Sequence, residues 1–258
     1  MTPPSLPPRS VPDQWPDPVE IHCPDGRSPI VLLCEHASNY IPPEYAGLGV
    51  SDSELQRHIA WDIGAAEVTR HLARLMDATA FLGTYSRLVI DLNRPLGVHS
   101  SIVARSEATD IPGNVSLTAQ ERARREQLIF TPHHAAIETH LKERVAAGRK
   151  TFIIAIHSFT PVYHGNVRPW HVGILFDKGV SLAEATMARL RASDPTLNVG
   201  ANVPYTVSIE EDYGLLVHGD HAGNPAILIE IRQDLIALPE ASEDWAKRLA
   251  PILTAVCV

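Results

Sequence analysis

Two arginines and an asparagine lie close together in one short stretch of this chain of 258 residues. An apolar run follows Arg87, and Asp91, Asn93 and Arg94 come directly after that run. A guanidinium at the edge of a fold interior is tolerated opposite a carboxylate or a developing oxyanion. The apolar run predicts a short strand over about 87–91 that carries these cations inward. The stretch therefore indicates a site that binds anions.

Three other apolar runs also end in residues that can do chemistry. Glu35 and His36 follow the first run, His157 ends the second, and Glu230 ends the third. Catalytic zinc needs three His, Asp or Glu ligands and an open position for water. Among thirteen histidines, His36 and His157 are the best pair of ligands, because each follows an apolar run. Burying a carboxylate is costly, so we predict Glu230 to be a general base or, alternatively, an ion-pair partner of Arg232.

This combination of motifs resembles the N-formylglutamate amidohydrolase family of zinc-dependent N-acyl amino acid deacylases, in the carboxypeptidase-like superfamily. The resemblance covers roughly residues 28–235 and is most specific in the stretches 85–95 and 35–38. It implies a zinc-carboxypeptidase-like (phosphorylase/hydrolase-like) fold. It also implies hydrolysis of N-formyl-L-glutamate to formate and L-glutamate, a step of amino-acid catabolism such as histidine degradation.

The resemblance assigns roles to particular residues. His36 and His157 would bind one Zn²⁺ per chain, and another divalent transition metal is possible at such a site. Asn93 and Arg94 would hold the α-carboxylate of a small acidic acyl amino acid. Arg87 would polarise the scissile carbonyl and stabilise its oxyanion. The alternative for the whole cluster is a buried ion-pair network that braces the fold.

The third metal ligand is open between two acids. Aspartoacylase-like relatives carry His-x-x-Glu, whereas this chain has the neutral Asn39 three residues after His36. We predict Asp62 as the replacement, because it is an acid among apolar neighbours near the start of a helical segment. Glu35 is the reserve, because adjacent strand side chains point to opposite faces. That objection disappears if the strand ends before Glu35.

The segments that must position these residues alternate between strand and helix patterns. We predict strands at about 30–35, 79–84, 87–91, 152–157, 171–176 and 226–231, and helices at about 53–76, 118–147, 181–193 and 241–255. This order predicts a single α/β domain over 19–258, with a mixed, mostly parallel twisted sheet and helices on both faces. Residues 1–18 are predicted to be a proline-rich arm. Loops 95–117 and 202–225 are predicted to form walls of the site.

Composition excludes several classes of function. A net charge of −8 without a basic cluster argues against nucleic acid or an anionic membrane as partner. Three cysteines without CxxC spacing indicate no cysteine zinc site, and no secretory signal is evident, so we expect a cytoplasmic protein. The oligomeric state is left open. Two other functions remain possible: a related deacylase or carboxypeptidase-like hydrolase of another acyl amino acid or short peptide, and an inactive binding protein on the same scaffold.

Some polar residues outside these motifs have open roles. The histidines of the long helix, at 133, 134 and 140, are predicted to be ordinary helix residues. His218 and His221 have a spacing suited to a second metal site, although a loop that contacts substrate or solvent is the favoured interpretation. The candidates for recognising the substrate side chain are Arg105, Arg168, Tyr213 and His221.

Overall fold

The computed structural model describes residues 15–258, which form eleven β-strands. The strands are β1 (Val19–His22), β2 (Ile30–Cys34), β3 (Thr79–Gly83), β4 (Arg105–Ser106), β5 (Thr109–Asp110), β6 (Phe152–Phe159), β7 (Val162–Tyr163), β8 (Asn166–Val167), β9 (Val172–Leu175), β10 (Val199–Ala201) and β11 (Ala226–Arg232). Seven of them form one sheet in the order β1-β3-β2-β6-β11-β9-β10. Strand β1 runs antiparallel to β3, and β9 runs antiparallel to β11, while the other four pairs are parallel. The remaining strands form two short hairpins, β4–β5 and β7–β8.

Helices cover both faces of the sheet. The α-helices are α1 (Asp52–Leu55), α2 (Ala65–Met76), α3 (Ala119–Arg125), α4 (Thr131–Ala146), α5 (Val180–Ser193) and α6 (Pro239–Val256). There are π-helical turns at Glu126–Phe130 and Leu215–Gly219, and short 3₁₀ segments at Pro43–Gly49, His99–Ser101, Pro112–Asn114, Asp220–Ala222 and Gln233–Leu235. Helices α2, α5 and α6 pack on one face, and α4 packs on the other with the second π-helical turn. The predicted class, a single α/β domain with a mostly parallel mixed sheet, is confirmed.

The central strands are apolar along their whole length because both of their faces are buried. In β2, Ile30 and Leu32 point to the core under α2, α5 and α6, whereas Val31 and Leu33 point to the core under α4. This is the pattern of a strand in a parallel sheet that is covered on both sides. It explains why the sequence shows continuous apolar runs there instead of alternation.

The strand predicted over 87–91 is wrong, because this segment forms turns. Its backbone amides donate to loop carbonyls: Arg87 to Ala60 at 3.2 Å and Asp91 to Ser101 at 2.8 Å. The apolar side chains of the segment are buried in a cluster that loops and α3–α4 build beside the sheet. An apolar run shows that a segment is buried, and it does not show whether a sheet or a set of loops buries it.

Two predicted helices are interrupted. The helix predicted over 53–76 is α1 and α2 with turns between them, and Gly64, at a φ of +81°, directly precedes α2. A Cβ there would lie 2.1 Å from the carbonyl oxygen of Ile236, so the close approach requires glycine. The helix predicted over 118–147 contains a π-helical turn in which Thr131 donates to the carbonyl of Glu126. Pro132, which has no amide hydrogen, follows directly.

The edges of the sheet and the N-terminal segment also differ from the prediction. Strands β1 and β10 are short edge strands that the sequence pattern did not indicate. Residues 1–14 of the predicted arm lie outside the described residues, and Trp15 is buried against the rings of Tyr45 and Tyr85. Within residues 15–258, no helix is both long and apolar enough to cross a membrane.

Candidate metal centre

Three polar side chains meet at the carboxyl ends of the central parallel strands. His36 lies two residues after the end of β2, so its side chain is free of the strand's strict alternation. His157 lies in β6, and Glu230 of β11 is its direct neighbour across the parallel ladder. All three side chains are buried. The fold therefore brings together the residues that end three separate apolar runs of the sequence.

Asp62 completes a group of three possible metal ligands with the two histidines. One ligand atom from each of His36, Asp62 and His157 lies within 4.8 Å of the others. The Asp62 Oδ2 atom is 2.8 Å from Nδ1 of His157 and 3.4 Å from Nδ1 of His36. Two ligand atoms on a tetrahedral zinc ion, each about 2.0–2.1 Å from it, lie about 3.3 Å apart. The donor types and their spacing therefore fit zinc.

Each histidine of this group has a second carboxylate behind it. Nε2 of His36 is 2.7 Å from Oδ1 of Asp91, and Nε2 of His157 is 3.1 Å from Oε2 of Glu35. Metal-binding histidines usually donate their other ring N–H to such a partner, which fixes the ring and raises its basicity. With both Nε2 atoms engaged, both Nδ1 atoms are left facing Asp62. Glu35 therefore lies on the side of His157 away from Asp62, and this geometry favours Asp62 over Glu35 as the third possible ligand.

Asp62 reaches the site from the turns between α1 and α2. Its backbone amide donates to the carbonyl of His36 at 2.9 Å, and its Oδ2 accepts from the amide of Ser158 at 3.3 Å. Burial tends to raise the pKa of Asp62, but His36 and His157 outweigh it and hold that pKa below its usual range. Burial tends to lower the pKa of His157, but Asp62 and Glu35 raise it well above its usual range.

Arg87 lines the same site and is oriented by Asp91. Its Nε and Nη2 atoms donate to Oδ2 of Asp91 at 3.0 and 2.7 Å, and its Nη1 atom is 3.6 Å from Oδ1 of Asp62. Asp91 thus holds both Arg87 and His36 through its two oxygens. Burial tends to lower the pKa of Arg87, but Asp91 and Asp62 raise it above its usual range. The guanidinium is a fixed cation beside the possible metal ligands.

Glu230 has no ion-pair partner among the described residues. Its Oε2 atom is buried and accepts no hydrogen bond from any described residue. Burial raises the pKa of Glu230 to about 8. The predicted alternative, an ion pair with Arg232, is wrong, because Arg232 pairs with Asp234 at 2.7 Å. Glu230 is therefore a buried carboxyl that faces the cleft.

These residues line one cleft of about 440 Å³. Asn93 and Arg94 also line it, and Oδ1 of Asn93 accepts from the amide of Gly214 at 2.9 Å. Both loops predicted as walls contribute to it, through residues 100–107 of the first and 205–212 of the second. The sequence did not indicate a third wall, in which Phe159, Thr160 and Tyr163 lie at the end of β6 and in the hairpin after it. All the predicted site residues border this cleft: His36, Asp62, Arg87, Asn93, Arg94, His157 and Glu230.

Among the four candidates for recognising a substrate side chain, Arg168 is the one beside the cleft wall. Its guanidinium stacks on the rings of Tyr163 and Tyr205, at 4.5 and 4.8 Å from their centroids, and its Nη1 atom donates to Oη of Tyr205 at 2.9 Å. Arg105 is exposed and pairs with Asp110 instead. Tyr213 and His221 lie outside the residues that line the cleft.

The other histidines do not form a second group of metal ligands within residues 15–258. His134 is buried, with Nε2 at 2.9 Å from the carbonyl oxygen of Leu92 and Nδ1 at 2.9 Å from Nε2 of His218. Nε2 of His218 is therefore hydrogen-bonded to His134, while His221 is exposed. His133 is also fully buried, so two of the predicted ordinary helix histidines are interior residues.

The sequence and the fold of this chain are similar to those of known proteins. The sequence profile of the FGase family, N-formylglutamate amidohydrolase, matches residues 28–237. The crystal structure of a gene product from Agrobacterium tumefaciens is 38% identical, with a TM-score of 0.89 over 93% of this chain and 95% of that one. N-formylglutamate amidohydrolase from Ralstonia eutropha has a TM-score of 0.64 at 17% identity, over 93% of this chain and 97% of that one, which is a likeness of fold. No curated protein matches this chain.

Proposed function

Because this chain belongs to the N-formylglutamate amidohydrolase family, we propose that it uses zinc to hydrolyse N-formyl-L-glutamate to formate and L-glutamate. The observation that carries this proposal is the buried group of His36, Asp62 and His157 in a cleft that Glu230 and Arg87 also line. A metal-ligand set, a carboxylate without a partner and a fixed cation are the parts that hydrolysis of an amide needs. The family supports a hydrolase of the N-formylglutamate amidohydrolase type, and the zinc and the exact substrate are the proposed part.

The proposed chemistry adds water to the formyl carbonyl and breaks the C–N bond. Zinc bound by His36, Asp62 and His157 would polarise the carbonyl and lower the pKa of a water molecule to about 7. Glu230, in the ionised form that a nearby metal cation would favour, accepts a proton from the attacking water and then delivers it to the leaving nitrogen. The second proton of the water also passes to this nitrogen, so the products are formate and L-glutamate with a protonated amino group, and atoms and protons balance.

Two arginines would serve different parts of the substrate. Arg87, fixed by Asp91, donates to the carbonyl oxygen as negative charge develops on it. Arg94 binds the α-carboxylate, for which the planar guanidinium fork is the best match among side chains. Asn93 lies beside it in the same cleft. A small acidic acyl amino acid is thus the proposed partner, and the cytoplasm is the proposed location.

The test measures formate released from N-formyl-L-glutamate by the purified protein loaded with one equivalent of zinc. We expect turnover that stops when zinc is removed by a chelator and returns when zinc is added. N-acetyl-L-glutamate and N-formyl-L-leucine, as alternative substrates, should react more slowly. Preference for either would transfer the proposal to a related deacylase, and no hydrolysis of any of them by a folded, zinc-loaded protein would indicate a binding protein.

Metal content tests the ligand group directly. Replacing either histidine, by His36→Ala or His157→Ala, should remove most of the zinc, because two remaining ligands hold the ion poorly. His221→Ala is the matched control, because His221 is an exposed histidine outside the cleft. Zinc at one equivalent per chain in both ligand variants would show that the ion binds elsewhere.

A further inference from the structure

Arg94 already has a carboxylate partner in this structure. Its Nη2 atom is 2.7 Å from Oε2 of Glu211, and its Nη1 atom donates to the carbonyl oxygens of Glu211 and Asn93. Glu211 belongs to loop 202–225, far from Arg94 in the sequence. The guanidinium that we assign to the substrate is therefore already paired with a residue of loop 202–225.

The two members of this ion pair differ in exposure. The Arg94 side chain is 16% exposed, whereas the Glu211 side chain is 51% exposed and borders the cleft. A largely enclosed cation needs a counter-charge, because an unpaired buried charge is costly. A half-exposed carboxylate can turn into water at little cost. Glu211 is thus the member of the pair that can leave when another carboxylate arrives.

Two other acidic residues that interact with Arg94 are held by neighbouring groups. The carboxylate of Asp91 is held by His36 and Arg87. The carboxylate of Asp212 accepts from the backbone amide of Ser208 at 3.1 Å, and Asp212 is buried. Glu211 is therefore the residue against which a ligand carboxylate would compete for Arg94.

We propose that Glu211 occupies the carboxylate position at Arg94 in the free protein, and that the α-carboxylate of the substrate displaces it. This proposal rests on the role assigned to Arg94 under the proposed function. A carboxylate ligand exchanges one ion pair for another, so Arg94 stays paired throughout. A neutral ligand cannot make this exchange, because it would have to leave Arg94 without a counter-charge or fit beside Glu211. Glu211 thus competes with the ligand carboxylate for Arg94, and it affects how tightly a free acid binds but not how tightly an amide binds.

The expected effect is modest, because half-exposed ion pairs are weak. Glu211→Gln removes the competing charge at nearly constant size. It should lower the dissociation constant of L-glutamate about 1.5- to 5-fold, which corresponds to the loss of one exposed ion pair. The α-amide of glutamate should bind equally well to both proteins. Glu210→Gln is the matched control, because Glu210 is an exposed neighbour that forms no ion pair with any described residue. It should change neither constant.

Titration calorimetry on the zinc-loaded protein measures these constants without turnover. In an Arg94→Ala background, Glu211→Gln should bring no gain, because the two residues act through one contact. Equal unfolding temperatures would show that the variants are folded. The proposal is overturned if L-glutamate binds Glu211→Gln no more tightly than wild type, if the gain persists without Arg94, or if neither protein binds L-glutamate. Failure of the proposed function is a separate result, namely no release of formate from N-formyl-L-glutamate by the wild type.

Discussion

Replacing Glu35 by glutamine should weaken zinc binding while keeping one zinc site per chain. Glu35 lies behind His157, with Oε2 at 3.1 Å from Nε2, whereas the ligand group faces Nδ1. Glutamine can still accept the hydrogen bond from His157, but it lacks the negative charge that raises the basicity of the ring. The variant therefore distinguishes a residue that supports a metal-binding histidine from a residue that binds the metal itself.

The magnitude follows from the burial of this contact. Loss of an outer partner of a metal-binding histidine costs about 10- to 100-fold in metal affinity, or about 1.4–2.7 kcal/mol. The Glu35 side chain is fully enclosed, and its Oε1 atom has no hydrogen-bond partner among the described residues. Space there is tight, because a Cβ on Gly214 would lie 1.9 Å from that oxygen. An amide nitrogen in that position would be an unpaired donor, which adds a loss of about 1–3 kcal/mol in folding stability.

Two measurements check the prediction. Zinc content after dialysis, by mass spectrometry, should stay near one per chain in Glu35→Gln and fall strongly in Asp62→Asn, which loses a charged ligand. Competition with a chromophoric chelator should give the weaker dissociation constant. Glu67→Gln, on an exposed acid of α2, is the control. If Glu35→Gln is folded but holds no zinc while Asp62→Asn keeps a full equivalent, Glu35 is the third ligand and the reasoning fails.

Three other predictions follow from the site and its surroundings. Glu230→Gln should keep zinc and lower kcat by about 10²- to 10⁴-fold, the usual loss for a general acid/base, and near-normal steady-state turnover would contradict this. Arg87→Ala should chiefly lower kcat, because an oxyanion exists only near the transition state, whereas Arg94→Ala should chiefly raise KM; the same kinetic defect in both would refute the division of roles. Burial lowers the pKa of His133 to about 4, against about 6.5 in the unfolded chain. Its contribution to stability is therefore full above pH 6.5 and falls by about 2 kcal/mol by pH 5, because the unfolded chain binds the proton first. The unfolding temperature of His133→Gln should decline less than that of wild type between pH 7.5 and 5, and parallel curves would exclude His133 as the cause.

The residues at strand ends were predictable from sequence because parallel strands impose a rule. The carboxyl ends of neighbouring parallel strands meet at one edge of a sheet. His36, His157 and Glu230 each end an apolar run, and β2, β6 and β11 are neighbours in the sheet. The order of strands did not have to be known. It was enough that the runs were buried strands in one mostly parallel sheet.

The turn that places Asp62 and the loops that bury the segment at 87–91 could not be predicted from the sequence. Asp62 reaches the ligand group because the chain turns between α1 and α2, and that turn requires Gly64 against the backbone of Ile236. This contact joins residues 172 positions apart (236 − 64), so no local pattern reports it. The helical pattern over 53–76 is continuous in the sequence, so it did not indicate the turns between α1 and α2. The apolar segment at 87–91 is buried by loops, which also have no periodicity that a sequence could show.

The charges in the cleft bear on both the proposed metal and the proposed substrate. Six acidic residues border the cleft, at positions 62, 91, 107, 211, 212 and 230, together with two arginines and three histidines. Both arginines are already paired, Arg87 with Asp91 and Arg94 with Glu211. A substrate with two carboxylates would enter an acidic cleft at a high cost unless positive charge were added or a carboxylate left. On the two proposals above, a bound zinc ion would supply the first, and displacement of Glu211 would supply the second. On the proposed function, an acidic protein can thus bind an acidic substrate, because a bound metal would add positive charge to the cleft and the release of Glu211 would free Arg94.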